Sequence, residues 1–387
     1  MNSAESTDTV PVVIVGGGPV GLFLALCLLK AGIECLVLEK RKSIDPHSRS
    51  LGIHPPSLDC FDRAEITEPF LKHGLKIRTG RAYYGRKQIG AIRFENCRPP
   101  HTYVLSIPQY QTEQILEEEL RRRSPGCLIR MADVRKISVE TEAARITYTV
   151  RGEKKKEVAG EWVVGCDGKN SMVRASAGIH FQGGPYPDTY LMGDYTDRTG
   201  LGPDAGVWLH PDGLIESIPM PGKQRRWVVK TDKYEPEMQE KILERLVRQR
   251  ISADLSTCTC SMAGSFGVQH YLADTLFKER ILLAGDAAHV VSPIGGQGMN
   301  LGWLGACDLA ATLADSLYKR SDSDKLLSQW SERRRSAARK AARRAEWNMK
   351  LGRKHRYEAP RKFAAWFITN TPAERVMAER FTMRGLE

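Results

Sequence analysis

Residues 10–21 read VPVVIVGGGPVG, a run of branched apolar residues that ends in a cluster of glycines. The run is typical of a buried parallel strand, and the glycines that follow it have the spacing G-x-G-x-x-G. Gly16 permits a tight turn after the strand, Gly18 lets the backbone approach a phosphate, and Gly21 lets a following helix pack closely on the strand. The pattern predicts a strand, a turn and a helix N-terminus that together bind the pyrophosphate of a dinucleotide.

The residues after the glycines complete a βαβ unit of about 30 residues. We expect a helix over residues 22–31, stopped by Gly32, and a second strand over residues 34–38. Glu39 ends that strand, 18 residues beyond Gly21, where a carboxylate can accept a hydrogen bond from a ribose hydroxyl. The unit indicates a dinucleotide site, but the motif alone does not separate FAD from NAD.

Residues 10–29 carry no charge, and a run of this length also suggests a membrane span or a signal peptide. Neither is favoured, because the glycines and Pro19 interrupt the run and residues 1–9 contain two acids and no Lys or Arg. The nine cysteines are scattered, and the closest two, Cys258 and Cys260, are too near each other for a usual zinc site. We therefore expect a reduced, cytoplasmic protein without a metal centre.

A second motif reads GCDGKNSMVR over residues 165–174 and follows an apolar strand. It predicts a turn at Asp167 and Gly168, and then a helix N-terminus with Ser171 near the cap. Taken by itself, this motif also fits a capped turn that binds no ligand.

A third motif reads LAGDAAH over residues 283–289 and continues as PIGGQGMN over residues 293–300. Asp286 follows a strand, where its carboxylate can accept hydrogen bonds from the hydroxyl groups of a polyol. The glycines open a second helix near Gly298, whose free N–H groups and positive dipole end stabilise negative charge. Because so many glycines in one loop are unfavourable unless something approaches the backbone closely, the third motif favours a ligand.

In this order and spacing, the three motifs resemble those of the class A flavoprotein monooxygenases, the family of para-hydroxybenzoate and phenol hydroxylases. The resemblance extends over roughly residues 10–316. It implies an enzyme in which NADH or NADPH reduces FAD, O₂ adds at C4a, and the C4a-hydroperoxyflavin hydroxylates an electron-rich ring. The implied substrate is a small aromatic molecule of phenolic, polyketide-like or quinone-precursor type.

The resemblance also assigns roles to residues. Those that it places around FAD are Gly16, Gly18, Pro19, Val20, Gly21, Glu39, Lys40, Arg49, Gln109, Asp167, Gly168, Asp286, Pro293, Gly296, Gly298, Met299 and Asn300. Asp167 and Gly168 belong to a motif implicated in both FAD and NAD(P)H binding. The candidate catalytic residues are Pro293 and Arg49 beside the flavin ring, and Tyr190 and His210 as bases for a phenol. A purely structural role for Tyr190 and His210 stays open.

The fold that the resemblance implies is α/β with an α+β insert. A Rossmann-like FAD domain with a parallel sheet is expected over residues 1–80, 101–180 and 268–330. A mostly antiparallel substrate domain is inserted, over residues 81–100 and 181–267, where Trp, Tyr, Pro and Gly are frequent. Helices are expected over residues 108–123, 299–318 and 330–351, and the last of them overlaps a basic C-terminal helical region over residues 331–387.

The C-terminal region is strongly basic. Residues 331–387 contain 16 Lys and Arg against 6 Asp and Glu, which accounts for most of the net charge of +12. Two interpretations stay open: a solvated helix that covers the junction of the domains, or a docking face for an anionic partner such as a membrane surface or an acyl carrier protein. The charges are not interleaved with an aromatic platform, so nucleic acid is not expected as a partner. Monomer and homodimer stay equally open.

Other functions explain part of the pattern. A flavin-dependent halogenase shares the first motif, but this chain lacks the Trp-x-Trp-x-Ile-Pro signature of that family. A flavin-dependent reductase of prenyl chains shares the fold, and its reaction would consume no O₂. A plain NAD-dependent dehydrogenase explains the first motif and leaves the third unexplained. A non-catalytic flavin-binding protein is the alternative from a different class.

Overall fold

A computed structural model describes residues 9–46, 50–152, 155–319, 322–353 and 373–387 of the 387-residue chain. The α-helices of these residues are α1 (Pro19–Lys30), α2 (Pro55–Arg63), α3 (Thr67–His73), α4 (Gln109–Arg123), α5 (Met172–Ser176), α6 (Gln239–Ile251), α7 (Gln297–Lys319), α8 (Ser323–Gly352) and α9 (Ala373–Phe381). The strands are β1 (Thr9–Val15), β2 (Cys35–Glu39), β3 (Gly52–Ile53), β4 (Leu75–Ile77), β5 (Thr79–Tyr84), β6 (Lys87–Arg93), β7 (Val104–Ser106), β8 (Leu128–Arg130), β9 (Ala132–Val139), β10 (Ala144–Val150), β11 (Lys155–Gly165), β12 (Phe181–Thr196), β13 (Ala205–Trp208), β14 (Ile215–Met220), β15 (Gln224–Thr231), β16 (Cys260–Ala273), β17 (Phe277–Lys278), β18 (Ile281–Leu283) and β19 (His289–Val290).

The first sheet contains β1 at its centre, with the order β17-β18-β11-β1-β2-β8. Its five strands from β18 to β8 are parallel, as predicted, while β17 pairs antiparallel with β18. Strands β9 and β10 extend the sheet from β11 by antiparallel pairing. The side chains of Val12, Val13 and Ile14 are fully buried, as expected for the central strand of a parallel sheet that is covered on both faces.

The second sheet has the order β19-β16-β12-β15-β14-β13-β5-β6. It is antiparallel except where β13 pairs with β5 in parallel, which agrees with the predicted mostly antiparallel insert. Side chains alternate between its two faces. One face packs on α6 around Trp208, Ile215, Trp227 and Leu243, and the other carries Met192, Val228 and Phe266 toward the interior of the protein. A third, small sheet has three strands in the order β3-β7-β4.

Helix boundaries differ from the prediction by a few residues. The first helix, α1, begins at Pro19 rather than at residue 22, because proline is favoured in the first turn, where its missing N–H costs nothing. Helix α7 begins at Gln297, and α8 begins seven residues before the predicted residue 330, where the side chain of Asp322 accepts a hydrogen bond from the Lys325 N–H at 3.0 Å. In the part of the chain that the structure describes, no helix is both long and apolar enough to cross a bilayer.

Arginines of α8 and the C-terminal segment hold the end of the chain in place. Arg333 pairs with Asp308 of α7 at 3.0 Å, and Arg334 donates to the carbonyl oxygen of Leu386 at 3.4 Å. Arg344 donates to the carbonyl oxygen of Arg384 at 3.3 Å. These contacts show that part of the basic region is structural. Residues 354–372 of that region lie outside the described residues, so a docking face for an anionic partner stays a prediction.

Candidate active site

One large cavity, about 1070 Å³ in volume, connects the carboxyl ends of β1, β2 and β11 to the inner face of the second sheet. The volume exceeds the upper end of the usual range for pockets that hold one drug-sized ligand. Residues of all three motifs line the cavity. Those that were predicted to bind the cofactor and do line it are Gly16, Gly18, Pro19, Val20, Glu39, Lys40, Gln109, Asp167, Gly168, Asp286, Pro293, Gly296, Gly298 and Met299.

The first motif forms a turn that only glycine can make. Gly16 has φ +109°, and a Cβ atom there would lie 2.3 Å from the carbonyl oxygen of Cys166. A Cβ atom on Gly21 would lie 2.0 Å from the carbonyl oxygen of Gly16, so Gly21 serves the packing of α1 and lies behind the cavity wall. A Cβ atom on Gly18 would meet only the tip of Arg41, at 3.9 Å, so the backbone there is open to the cavity. No side chain caps α1, and its first N–H groups can bind an anion.

Glu39 is buried and holds the glycine turn from the second strand. Its Oε2 accepts a hydrogen bond from the Gly17 N–H at 2.6 Å, and its Oε1 accepts hydrogen bonds from the Arg41 N–H at 2.7 Å and the Arg41 Nε–H at 3.0 Å. Glu39 was predicted from the sequence as a cofactor residue, whereas Arg41, which also lines the cavity, was not. Lys40, by contrast, is mostly exposed and lies 3.5 Å from Asp133.

Gln109 joins this polar network at the start of α4. Its Nε2 donates to Glu113 at 2.8 Å, and its Oε1 accepts a hydrogen bond from the Ser50 N–H at 3.3 Å. Glu113 also lies 3.4 Å from Arg41. Burial raises the pKa of the Glu113 carboxyl. The network gives this end of the cavity several rigidly held polar groups.

The second motif is a capped turn that also faces the cavity. Asp167 Oδ2 accepts hydrogen bonds from the N–H groups of Met172 at 2.7 Å and Val173 at 3.1 Å, at the start of α5. Its Oδ1 is buried and has no partner among the described residues. Ser171 caps the same helix as predicted, because its Oγ accepts from the Arg174 N–H at 2.9 Å. One carboxylate oxygen of Asp167 therefore caps α5, and the other has no hydrogen-bond partner among the described residues.

Asp286 of the third motif faces the cavity, and no residue that the structure describes pairs with it. Its side chain is exposed to the interior of the cavity, but protein encloses that region, and this burial raises the pKa of the carboxyl. None of the described residues donates a hydrogen bond to it. An unpaired carboxylate in such a place is available to a hydroxyl-rich ligand.

Asn300 and His54 hold the glycine loop of the third motif. Asn300 Nδ2 donates to the carbonyl oxygens of Gly52 at 2.9 Å and Gly296 at 2.8 Å, and its Oδ1 accepts from the His54 N–H at 2.8 Å. His54 Nε2 donates to the carbonyl oxygen of Gly295 at 3.1 Å. Burial lowers the pKa of His54 to about 4, so the ring is neutral at neutral pH. Asn300 is buried and lies behind the cavity wall, whereas His54 lines the cavity.

The end of the cavity beside the second sheet is largely apolar, and we call it the inner chamber. It is lined by Ile77, Phe94, Val104, Ser106, Met192, Ala205, Gly206, Val207, Glu216, Ile218, Arg226, Val228, Phe266 and Phe381. Ser106 donates to the carbonyl oxygen of Pro219 at 2.6 Å. Arg226 makes a bidentate contact with Asp194, at 2.7 and 2.8 Å. The size and the apolar lining of the chamber suit an aromatic ring.

The four residues with predicted catalytic roles have different positions. Pro293 lines the cavity. Tyr190 is completely buried with its ring stacked on Phe266 at 5.6 Å, and it does not line the cavity. His210 lies 3.7 Å from Asp212 and also does not line the cavity. Arg49 lies outside the described residues. The structure therefore does not bring Tyr190 and His210 to the place where a ring would react.

Glu216 is another lining residue that was not predicted from the sequence. It lies in β14, whose sequence IESIPM alternates in burial, and Glu216 faces the inner chamber. The signal in the sequence is one acidic residue inside an apolar strand. That signal is weak, because a glutamate in a strand usually faces water.

The groups around the cavity fit FAD. The open backbone at Gly18 and the uncapped start of α1 suit a pyrophosphate, and the unpaired carboxylate of Asp286 suits a polyol chain. The left-handed glycines Gly295 (φ +86°) and Gly296 (φ +65°) bring backbone close to the cavity just before α7. A large planar ring can approach a loop that carries no side chains there.

Comparison with known proteins agrees with this geometry. A family model for an FAD binding domain matches residues 9–345. An uncharacterised aromatic compound monooxygenase of Bacillus subtilis is 31% identical over 347 residues, which cover 88% of this chain and 68% of the relative. A 12-dehydrotetracycline 5-monooxygenase/anhydrotetracycline 6-monooxygenase of Streptomyces rimosus is 31% identical over 84% of this chain and 67% of the relative. The chain thus spans about two thirds of the length of these curated relatives.

A solved structure shows the same fold over nearly the whole chain. The p-nitrophenol 4-monooxygenase of Pseudomonas putida superposes with a TM-score of 0.88, covers 98% of this chain and 99% of that chain, and is 24% identical in sequence.

Proposed function

The chain belongs to the FAD-binding family of flavoprotein monooxygenases that hydroxylate aromatic compounds, and from this premise we propose that it hydroxylates a small phenolic molecule. The reaction inserts one atom of O₂ into a ring C–H bond, reduces the other atom to water and oxidises NAD(P)H to NAD(P)⁺. NADH and NADPH are equally compatible with the proposal. The observation that carries it is the continuity of one cavity from the glycine turn of the first motif to the inner chamber.

We propose that the chain's own residues hold the cofactor in the following way. The start of α1 at Gly18 binds the pyrophosphate, Glu39 and its network face the ribose, and Asp286 accepts hydrogen bonds from the ribityl chain. Bound FAD supplies the electron transfer and the activation of oxygen. Pro293 and the positive end of α7 are placed to contact the ring system and to stabilise negative charge on it.

The same proposal divides the chain by function. Residues 1–80, 101–180 and 268–330 would form the FAD domain, and residues 81–100 and 181–267 the substrate domain. The pairing of β13 with β5 supports this division, because it joins the early segment to the later insert in one sheet. Helix α9 from the C-terminal region, 331–387, contributes Phe381 to the inner chamber, so this region would also shape the substrate site.

The proposed substrate is an uncharged phenol of one or several rings. The apolar lining of the inner chamber supports it, and so do the relatives, whose names mention an aromatic compound, tetracycline-type polyketides and p-nitrophenol. All nine cysteines are free thiols, which supports a reducing, cytoplasmic location.

The test is a measurement of O₂ uptake by the FAD-loaded protein. NADH and NADPH are each supplied with a panel of mono-, bi- and tricyclic phenols, and products are identified by mass. A product heavier by one oxygen, with label from ¹⁸O₂, supports the proposal. Reduction of a substrate without O₂ uptake would indicate a reductase, and a halide-dependent product a halogenase. Bound FAD with no turnover of any compound would indicate a binding protein.

A further inference from the structure

Glu216 faces the inner chamber from the middle of β14. Strand pairing places it opposite Val207 of β13 and opposite Val228 of β15, and both valines line the chamber. Alternation along β14 turns Ile215 and Ser217 to the other face of the sheet. The carboxylate of Glu216 therefore lies in an apolar part of the chamber wall.

The charged groups around Glu216 have other partners. Arg226 is bonded to Asp194, its direct cross-strand neighbour. Asp188 lies 3.4 Å from Lys230 and accepts a hydrogen bond from Arg353 at 2.7 Å. Among the described residues, none donates a hydrogen bond to Glu216 or forms an ion pair with it. Its carboxylate is therefore available to a ligand in the chamber.

The stability of the fold does not explain why position 216 carries a glutamate. A buried carboxylate without a partner is unfavourable, and an apolar side chain of similar size would complete the wall between the two valines. Burial raises the pKa of Glu216 to about 7, and no neighbouring charge contributes to that shift. Groups that break a packing rule in this way are expected where a ligand binds.

We propose that Glu216 selects and activates the substrate by accepting a hydrogen bond from the phenolic hydroxyl of the ring. This inference rests on the proposed function and names the group that recognises the phenol. When the ring reacts, the O–H bond breaks, the proton moves to a carboxylate oxygen of Glu216, and the electron pair stays on the ring oxygen as a phenolate. The electron-rich ring is then hydroxylated: a C–O bond forms to one atom of O₂, the C–H bond at that ring carbon breaks, and its proton goes to the oxygen atom that leaves as water. The proton held by Glu216 returns to the phenolic oxygen of the product.

The same geometry disfavours aromatic carboxylates near Glu216. Of the described residues that line the inner chamber, the one cation is Arg226, and Asp194 already takes up its guanidinium in a bidentate contact. A substrate carboxylate placed beside Glu216 would therefore meet like charge without compensation. Neutral phenols, which donate a hydrogen bond, are the ligands that the site favours.

The test compares phenols with their methyl ethers, which keep the ring and lose the donor. Dissociation constants for naphthol, 4-methylphenol and a tricyclic phenol, each with its methyl ether, are measured from changes in the flavin absorption spectrum of the FAD-loaded enzyme. The variants are Glu216→Leu and Glu216→Gln. The matched control is Glu244→Gln, in helix α6, which packs on the opposite face of the sheet. FAD content and thermal unfolding show that each variant is folded.

We expect wild type and the Glu244→Gln variant to bind phenols about tenfold or more tightly than the ethers. The preference should disappear in Glu216→Leu. Phenol hydroxylation by wild type should also lose kcat/KM as the pH falls below about 7, where Glu216 is protonated, and this acid limb should be absent in Glu216→Gln. Other titratable or charged groups near Glu216 can also affect this pH profile. They lie on the neighbouring strands and at the end of α8, and they are Asp188, Tyr190, Asp194, Arg226, Lys230, Glu346 and Arg353.

Equal binding of phenols and ethers by a wild-type enzyme that hydroxylates phenols would overturn the role of Glu216 and leave the proposed function intact. An unchanged preference in Glu216→Leu would do the same. If no phenol or ether binds and no aromatic compound is hydroxylated, the proposed function fails and the inference fails with it.

Discussion

Arg174 Nη1 donates a hydrogen bond to the carbonyl oxygen of Ala287 at 3.0 Å and so joins the second motif to the third. Its Nη2 donates to the carbonyl oxygen of Lys169 at 2.8 Å, and the guanidinium lies 3.8 Å over the ring of Phe181. One side chain thus sets the distance between Asp167 and Asp286, which belong to loops more than a hundred residues apart in the chain. The loops of the second and third motifs are therefore held at a fixed distance from each other where they line the cavity.

Replacement of Arg174 by Ala should therefore weaken FAD binding without removing any cavity-lining residue. Two hydrogen bonds and a cation–π contact are lost, which should cost about 1–3 kcal/mol and lower FAD affinity roughly 5- to 150-fold. FAD titration of the apoprotein measures the effect. The control is Arg339→Ala, which removes an arginine of α8 whose partner among the described residues is Glu332. Equal FAD affinity in both variants would mean that the link is irrelevant to the site.

The substitutions Asp286→Ala and Asp167→Ala should affect different properties: FAD affinity in the first case and the stability of the apoprotein in the second. Among the described residues Asp286 has no partner, so its loss should lower FAD affinity by about 1–3 kcal/mol and leave the stability of the apoprotein unchanged or slightly higher. Asp167 caps α5, so its loss should cost the apoprotein about 0.5–2 kcal/mol. Thermal unfolding of both apoproteins, together with FAD titration, separates the two effects. The same loss of apoprotein stability in both variants would contradict this division.

Glu216→Gln should stabilise the folded protein at alkaline pH. The pKa of Glu216 is about 7 in the folded state and near 4.5 in the unfolded state, so its contribution to stability is full below pH 4.5 and is lost as the pH rises through 7. Glutamine is neutral throughout and avoids this loss, which for such a shift is up to about 3 kcal/mol.

Unfolding temperatures measured from pH 4.5 to 8 provide the test. The curves of wild type and Glu216→Gln should meet at the acid end and separate toward pH 8, with the variant more stable. The exposed Glu142→Gln should follow wild type at every pH. A constant offset between wild type and Glu216→Gln would show that the carboxyl does not titrate as proposed.

Gly296→Ala should damage the flavin loop. Gly296 has φ +65°, and a Cβ atom there would lie 3.3 Å from His54 Nε2, so alanine would strain the backbone and disturb the contact of His54 with Gly295. We expect a stability loss of about 1–2 kcal/mol and weaker FAD binding. Gly264→Ala is the matched control, because a Cβ atom on that strand glycine meets nothing within 4 Å. Similar FAD affinities in both variants would show that the loop tolerates a side chain.

The sequence predicted those parts of the site that depend on neighbours in the chain. The turn at Gly16, the close packing at Gly21 and the cap at Ser171 follow from local steric and hydrogen-bond rules, and the structure agrees with them. Tyr190 and His210 were chosen by residue type within the predicted insert, and neither reaches the cavity.

Long-range pairing determines the remainder of the site. Glu216 faces the chamber only because β14 pairs between β13 and β15, and no short-range pattern specifies that order. His54 meets Gly295 and Asn300 across more than 240 residues of chain. Such contacts depend on how the two sheets are assembled, which spacing within a motif does not encode.

The central position of β1 has a consequence for synthesis on the ribosome. This strand is made before both of its partners: β2 follows soon after it, but β11 ends only at Gly165. The uncharged segment 10–29 therefore lacks part of its packing while more than a hundred further residues are added. During that interval a growing chain exposes an apolar strand edge that favours aggregation, so production of the protein should benefit from slow translation or from chaperones that bind nascent chains.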